Sequence, residues 1–105
     1  MNDRLKRQAE DTARTISWKI MLESANQAIR NKDFSQAEKL YNRALQTAEK
    51  RLGSDDVLVA HILMEIADYY LNQSEPAKAQ ECYVRVRKIL AAHVLNDHPA
   101  YDSNS

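Results

Sequence analysis

Glycine and proline are scarce in this sequence of 105 residues. Gly53 is the single glycine, and Pro76 and Pro99 are the two prolines. Both residue types mark turns and interrupt regular structure, so their scarcity argues against a fold built from short strands and tight hairpins. Because the remaining composition is rich in good helix formers, the sequence predicts one small all-α domain.

Cysteine is limited to one residue, and neither charge is in excess. Cys82 has no second cysteine to pair with, as is typical of a reducing compartment. Its place on an apolar stripe predicts a small buried side chain rather than a reactive thiol. Fifteen Lys and Arg residues balance fifteen Asp and Glu residues, which argues against a nucleic-acid-binding protein, since such proteins usually have a basic excess.

Long apolar runs are absent as well. No stretch approaches the roughly 18 apolar residues that a membrane span requires. Residues 1–7 are too charged for the start of a secretory signal peptide. We therefore expect a cytoplasmic protein without a membrane partner.

Patterns typical of catalysis or metal binding are also missing. His61, His93 and His98 are far apart, and no two histidines have the i, i+4 spacing of a helical metal site. The acidic residues between the helical segments are better explained as helix caps than as catalytic carboxylates. There is no glycine-rich phosphate loop and no nucleophile motif, so we expect neither enzymatic activity nor a cofactor.

Helical periodicity is present in four segments. The predicted helices span residues 3–31, 35–52, 57–72 and 76–94. In the first segment Thr12 can act as an N-cap, which leaves open whether this segment forms one helix or two. The third segment is apolar most of the way round, which predicts burial on more than one side.

Cap residues separate these helices. Asp33 and Gln36 have the spacing of a capping box, and Gly53 stands where a left-handed C-terminal cap is expected. The residues predicted to cap the third and fourth helices are Asp55 or Asp56, and Ser74.

The segment of residues 33–45 has a weaker copy in residues 75–87. The offset is 79 − 37 = 42 residues, and a period in this range is the signature of a stacked-repeat architecture. The matching pairs are Ala37 and Ala79, Tyr41 and Tyr83, and Arg43 and Arg85.

This pattern resembles the tetratricopeptide repeat, a helix–turn–helix unit, and in particular the 42-residue variety of kinesin light chains. That variety has a linker of the form Leu-Gly-x-Asp-His-Pro, whose first half matches residues 52–55 and whose second half matches residues 97–99. The small residues at which paired helices approach closely in this family match Ala25, Ala37, Ala67 and Ala79.

The resemblance implies an α-solenoid of two stacked repeats. The expected divisions are an N-terminal helical extension (1–13), a first repeat (14–55), a second repeat (56–97) and a disordered tail (98–105). In this family the first helix of each repeat lines a concave face that binds peptides or helices of partner proteins.

The same resemblance places the partner-binding positions on the first and third helices. They are Lys19, Leu22, Glu23, Asn26, Arg30, His61, Met64, Glu65, Asp68 and Asn72. The kinesin-light-chain Asn pair is absent, since Leu22-Glu23 and Met64-Glu65 stand in its place, so that cargo specificity is not implied. Apolar residues beside acidic ones favour an amphipathic helix with basic residues as the occupant.

The apolar residues of the groove and of the fourth helix each allow an alternative to partner binding. The apolar groove residues are equally compatible with burial under the chain's own N-terminal segment or the neighbouring repeat. The fourth helix has no complete capping helix after it, so part of the set Val84, Ile89, Leu90 and Val94 should be exposed. That edge predicts self-association, most simply as a two-fold homodimer, and makes a self-assembling structural or regulatory subunit the second candidate function.

Overall fold

The structure is a computed structural model that describes residues 17–97, with the side chains of residues 17–94. Within this range it contains four helices and no strand, as the predicted all-α class requires. The helices are α1 (residues 17–30), α2 (Phe34–Leu52), α3 (Val57–Asn72) and α4 (Pro76–Asp97).

The predicted helix bounds agree closely with these. Both ends of α3 are as predicted, and α2 begins one residue earlier, at Phe34. The end of α4 lies at Asp97 rather than Val94. The first helix-breaking residue after Val94 is Pro99, and a proline disfavours helical conformation in the residue that precedes it. The helix can therefore continue as far as Asp97. The alternative of one or two helices over residues 3–31, with Thr12 as a cap, lies mostly outside the described residues.

The turn between α1 and α2 is a Schellman motif, a helix end closed by a residue in the left-handed conformation. Lys32 has a φ of 61°. Its N–H donates to the Ile29 carbonyl at 2.9 Å, and the Asp33 N–H donates to the Ala28 carbonyl at 2.8 Å. These bonds use carbonyl groups that the end of a helix otherwise leaves unpaired.

The turn between α3 and α4 repeats this geometry. Ser74 has a φ of 60°, its N–H donates to Leu71 at 3.1 Å, and the Glu75 N–H donates to Tyr70 at 2.9 Å. The left-handed residues are 74 − 32 = 42 positions apart, which is the period found in the sequence. The prediction that Ser74 caps α4 is wrong, because its left-handed backbone closes α3 and Glu75 directly precedes α4.

Asp33 caps α2 as predicted, although only half of the capping box forms. Its Oδ1 accepts a hydrogen bond from the Gln36 backbone N–H at 3.3 Å. The reciprocal bond, from the Asp33 N–H to the Gln36 side chain, is replaced by the bond to Ala28. The Schellman motif therefore uses the donor that a full capping box needs.

The link between α2 and α3 also follows the sequence signals. Gly53 has a φ of 91°, and its N–H donates to the Glu49 carbonyl at 2.9 Å. Of the two candidate caps for α3, Asp56 is the one used. Its extended backbone precedes the helix, and its carboxylate accepts from the Leu58 N–H at 2.9 Å.

The chain divides into two compact units, with the boundary inside α2 between Thr47 and Ala48. In the first unit the buried residues include alanines on both α1 and α2, and the Tyr41 hydroxyl donates to Asn26 Oδ1 at 3.0 Å. Small side chains at these positions let two helix backbones approach closely.

In the second unit α3 packs against α4. The most deeply buried large side chains are Val59 and Ile62 of α3. The buried face of α4 consists of Ala79, Cys82, Val86 and Ile89. Burial of side chains of this size stabilises a fold by about 1.5–3 kcal/mol each, so this hairpin holds much of the unit's stability. Among the described residues, no helix is long and apolar enough to cross a membrane.

Candidate partner-binding surface

The outward face of α3 exposes large apolar side chains at seven-residue intervals. Val57, Met64 and Leu71 are 47%, 47% and 48% exposed. Since a helix turns about 100° per residue and rises about 1.5 Å per residue, they line one stripe about 20 Å long. His61 and Asp68 lie on the same stripe and are exposed. These five residues are called the α3 surface below.

The charge of the α3 surface is acidic. Asp68 is exposed in the stripe, and the half-buried Glu65 flanks it. His61 Nε2 lies 3.8 Å from Glu65 Oε2, one helical turn away. No Lys or Arg occurs in α3. Asn72, the remaining predicted partner-binding residue of α3, is exposed at its end.

The five predicted residues of α1 divide into three environments. Lys19, Glu23 and Arg30 are exposed, and Arg30 donates to Gln27 Oε1 of its own helix at 3.0 Å. Asn26 is half-buried and accepts the Tyr41 hydroxyl bond, so it supports packing. Their role in partner binding stays a prediction.

Leu22 and Met64 occupy equivalent repeat positions but differ in burial. Leu22 is 6% exposed and belongs to the core of its unit, whereas nearly half of Met64 is accessible. Of the two alternatives considered for these residues, burial describes Leu22 and exposure describes Met64. An apolar partner-binding role is therefore available to Met64 and not to Leu22.

Sequence reasoning missed Val57 as part of this surface. The sequence does contain a pattern that indicates this surface. Val57, Met64 and Leu71 follow one another at intervals of seven residues, a spacing that places side chains on one face of a helix. It was hidden by the abundance of apolar residues in α3, which made every face look suitable for the core.

The outward face of α4 is a second partly apolar surface. Val84, Leu90 and Val94 are 37%, 43% and 58% exposed, whereas Ile89 is 3% exposed. The expected edge is therefore present, but Ile89 is not part of it, because it faces the core beside Val86. The residues called the α4 surface below are Val84, Arg87, Leu90, Ala91 and Val94.

Two polar contacts fix α4 within its unit. Arg85 Nη2 lies 3.0 Å from Glu49 Oε2 at the end of α2. His93 Nε2 lies 2.9 Å from the Asp55 carbonyl oxygen in the link between α2 and α3. Both contacts leave the α4 surface itself open.

Cys82 lies on the inner side of α4, as predicted. It is 9% exposed, and burial raises the pKa of its thiol above the usual value, with Arg85 lowering that pKa and Glu81 raising it. A thiol held in its neutral form is a poor nucleophile. Among the described residues, no group of three His, Cys, Asp or Glu side chains is placed to hold a metal ion.

Comparison with known proteins gives one match. The family model for the tetratricopeptide repeat matches residues 19–92, which is more than half of the chain and covers all of α2 and α3 and most of α1 and α4. No curated protein and no solved structure gives a significant match.

Proposed function

Because this chain belongs to the tetratricopeptide repeat family, whose repeats mediate protein–protein interactions, we propose that it is an interaction module whose partner binds the α3 surface. The observation that supports this most directly is the stripe formed by Val57, Met64 and Leu71. Each of these large apolar side chains is nearly half exposed, whereas the other large apolar side chains of α3 are buried or half-buried. Exposed apolar patches of this kind are typical of binding sites.

The chemistry of the stripe favours an amphipathic helix with basic flanks as the occupant. An apolar stripe about 20 Å long matches about four turns of a helical partner, with anchors at i, i+3/i+4 and i+7. Asp68 in the stripe and Glu65 beside it favour Lys or Arg next to those anchors. The exposed residues Lys19, Glu23 and Arg30 of α1 remain candidates for further contacts.

A binding experiment with a designed peptide tests this proposal. The probe is a synthetic amphipathic helix with Leu at helical spacing and Lys and Arg beside it, titrated into the isotope-labelled full chain and followed by amide NMR shifts. We expect the shifts to concentrate on α3, around Met64 and Asp68. A peptide with Glu in place of every Lys and Arg should bind at least tenfold more weakly, because it meets like charges.

Met64→Lys is the matched variant. It removes an apolar contact worth about 1.5–3 kcal/mol when fully buried, so the basic peptide should bind about tenfold more weakly, since 1.4 kcal/mol corresponds to a factor of ten. Gln46→Lys makes the same positive addition at an exposed position of α2 and should leave binding unchanged. Equal affinity of the Met64→Lys and parent chains, or shifts that avoid α3, would contradict the proposal.

The second candidate function is a self-assembling subunit. It is favoured by the α4 surface, where the large apolar side chains of Val84, Leu90 and Val94 are accessible. The predicted two-fold homodimer would bury this edge against itself.

Two finer assignments belong to the same proposal. The 42-residue interval between Lys32 and Ser74, the left-handed residues of the two turns, supports the kinesin-light-chain-like subtype. The single cysteine supports a cytoplasmic, reducing location.

A further inference from the structure

The outward faces of α3 and α4 have opposite charge. Helix α3 contains Glu65 and Asp68 and no Lys or Arg, whereas residues 84–94 of α4 contain three cationic residues and no Asp or Glu. Each face also exposes apolar side chains at helical spacing. The chain therefore presents an acidic apolar stripe and a basic apolar stripe within the same compact unit.

Two of the three cations within residues 84–94 of α4 are available to a partner. Arg85 is paired with Glu49. Arg87 and Lys88 are exposed, and neither forms an ion pair with another residue in the described range. Arg87 lies between Val84 and Val94 on the α4 surface, and Lys88 lies at its margin. The α4 surface therefore has basic residues next to exposed apolar side chains, which are the features expected of the partner of the α3 surface.

We propose that the α3 surface of one copy binds the α4 surface of a second copy, an inference that rests on the function proposed above. In this contact the valines and Leu90 of α4 pack on Met64 and Leu71, and Arg87 approaches Asp68. The α4 surface spans about 15 Å from Val84 to Val94 at 1.5 Å per residue, which fits within the longer stripe on α3.

A two-fold contact of α4 with itself is disfavoured by the same charges. If Val84 of one copy lies opposite Val94 of an antiparallel partner, the axis passes at residue 89. Arg87 and Lys88 of both copies are then within one turn of the axis, and four cations are brought together. Like charges at an interface cost free energy, whereas the contact with α3 places them next to acids.

A contact between two different surfaces can add copies without limit. Each copy has both surfaces, so the interface is heterologous, and it propagates into open chains unless the rotation closes a ring. The mass of the wild-type chain should therefore grow with concentration without stopping at a dimer. Higher salt should weaken it, because exposed charges are screened.

The experiment is a complementation test with the full chain in sedimentation velocity. Met64→Lys blocks the α3 surface, and Val84→Asn with Val94→Asn blocks the α4 surface. Both sites are exposed, so the variants should remain as helical as the parent by circular dichroism. Each variant alone should be monomeric, and an equal mixture should form a 1:1 complex through the two intact surfaces. Gln46→Lys should associate like the wild type.

The outcomes are distinct. Wild-type association that both variants abolish and their mixture restores supports the inference. A wild-type chain that stays monomeric at about 1 mM overturns it, because a contact that leaves the chain dissociated at this concentration contributes less than about 4 kcal/mol. Association that Met64→Lys leaves intact overturns it in favour of a two-fold α4 contact. Two variants that are each monomeric and stay monomeric when mixed also overturn it, because their intact α3 and α4 surfaces then do not bind each other. The peptide titration is independent of these results: peptide binding to a monomeric chain would refute self-recognition and retain the proposed function.

Discussion

At the scale of single residues, Cys82 shows how burial sets chemistry. It lies on the inner face of α4 with 9% exposure, and loss of hydration raises the pKa of its thiol. Arg85 opposes this effect but is engaged with Glu49. The thiol is thus part of the packing between α3 and α4.

We predict that Cys82 of the native chain reacts at least about tenfold more slowly with a thiol-specific disulfide reagent than the urea-unfolded chain does, since the thiolate is the nucleophile. The rate should also begin to rise at a higher pH in the folded chain. Because the unfolded thiol releases its proton first, ionisation of Cys82 lowers the stability of the fold as pH rises past the unfolded pKa. Equal labelling rates in native and unfolded chains would contradict this, and Cys82→Ala gives the unlabelled background.

At the scale of elements, the ends of the helices are set by backbone conformation more than by side-chain contact. Gly53 ends α2 with a φ of 91°, and a Cβ added there would meet nothing within 4 Å. The position therefore requires glycine for its dihedral angle alone. Lys32 and Ser74 adopt left-handed angles without being glycine, at equivalent positions of the two turns.

Gly53→Ala should lower the free energy of unfolding by about 1 kcal/mol, because an L-residue is strained at positive φ. Gly53→Asn should lose less, since asparagine enters the left-handed region more readily. Urea unfolding followed by circular dichroism measures both values. An alanine variant as stable as the parent would show that the link between α2 and α3 relaxes into another conformation.

The elements were predictable from the sequence because periodicity and caps are local signals. The bounds of α3, the cap at Asp56 and the turn at Gly53 follow from residues within one turn of each end. Ser74 was misassigned because serine favours N-caps in general, and the competing use of its backbone depends on how α3 terminates.

Burial was less predictable than helix position. Leu22 and Met64 share a repeat position yet differ in exposure, and Ile89 is buried while Leu90 next to it is not. The repeat register determines the position of each residue along its helix. Whether its side chain is buried depends on contacts with residues distant in sequence, and a single sequence does not specify those contacts. For this reason the candidate surface was predicted in part: Met64 and Asp68 lie on it, whereas Leu22 does not.

At the scale of the whole molecule, the two compact units share one helix. Their boundary falls between Thr47 and Ala48, and α2 runs across it without interruption. The units comprise residues 1–47 and 48–105, and chains of about 60 residues or fewer bury so small a share of their surface that they are marginally stable alone. Since α2 belongs to both units, we therefore expect the units to unfold together.

Ile62→Ala tests this coupling. Ile62 is fully buried in the second unit, and truncation to alanine should cost about 2–5 kcal/mol, whereas Ile62→Val should cost about 0.5–1.5 kcal/mol. If unfolding is shared, amide hydrogen exchange should accelerate by the same factor at Ala37 and Ala44 of the first unit as at Val86 of the second. Acceleration confined to the second unit would show that α2 frays at the boundary and that the two units unfold independently.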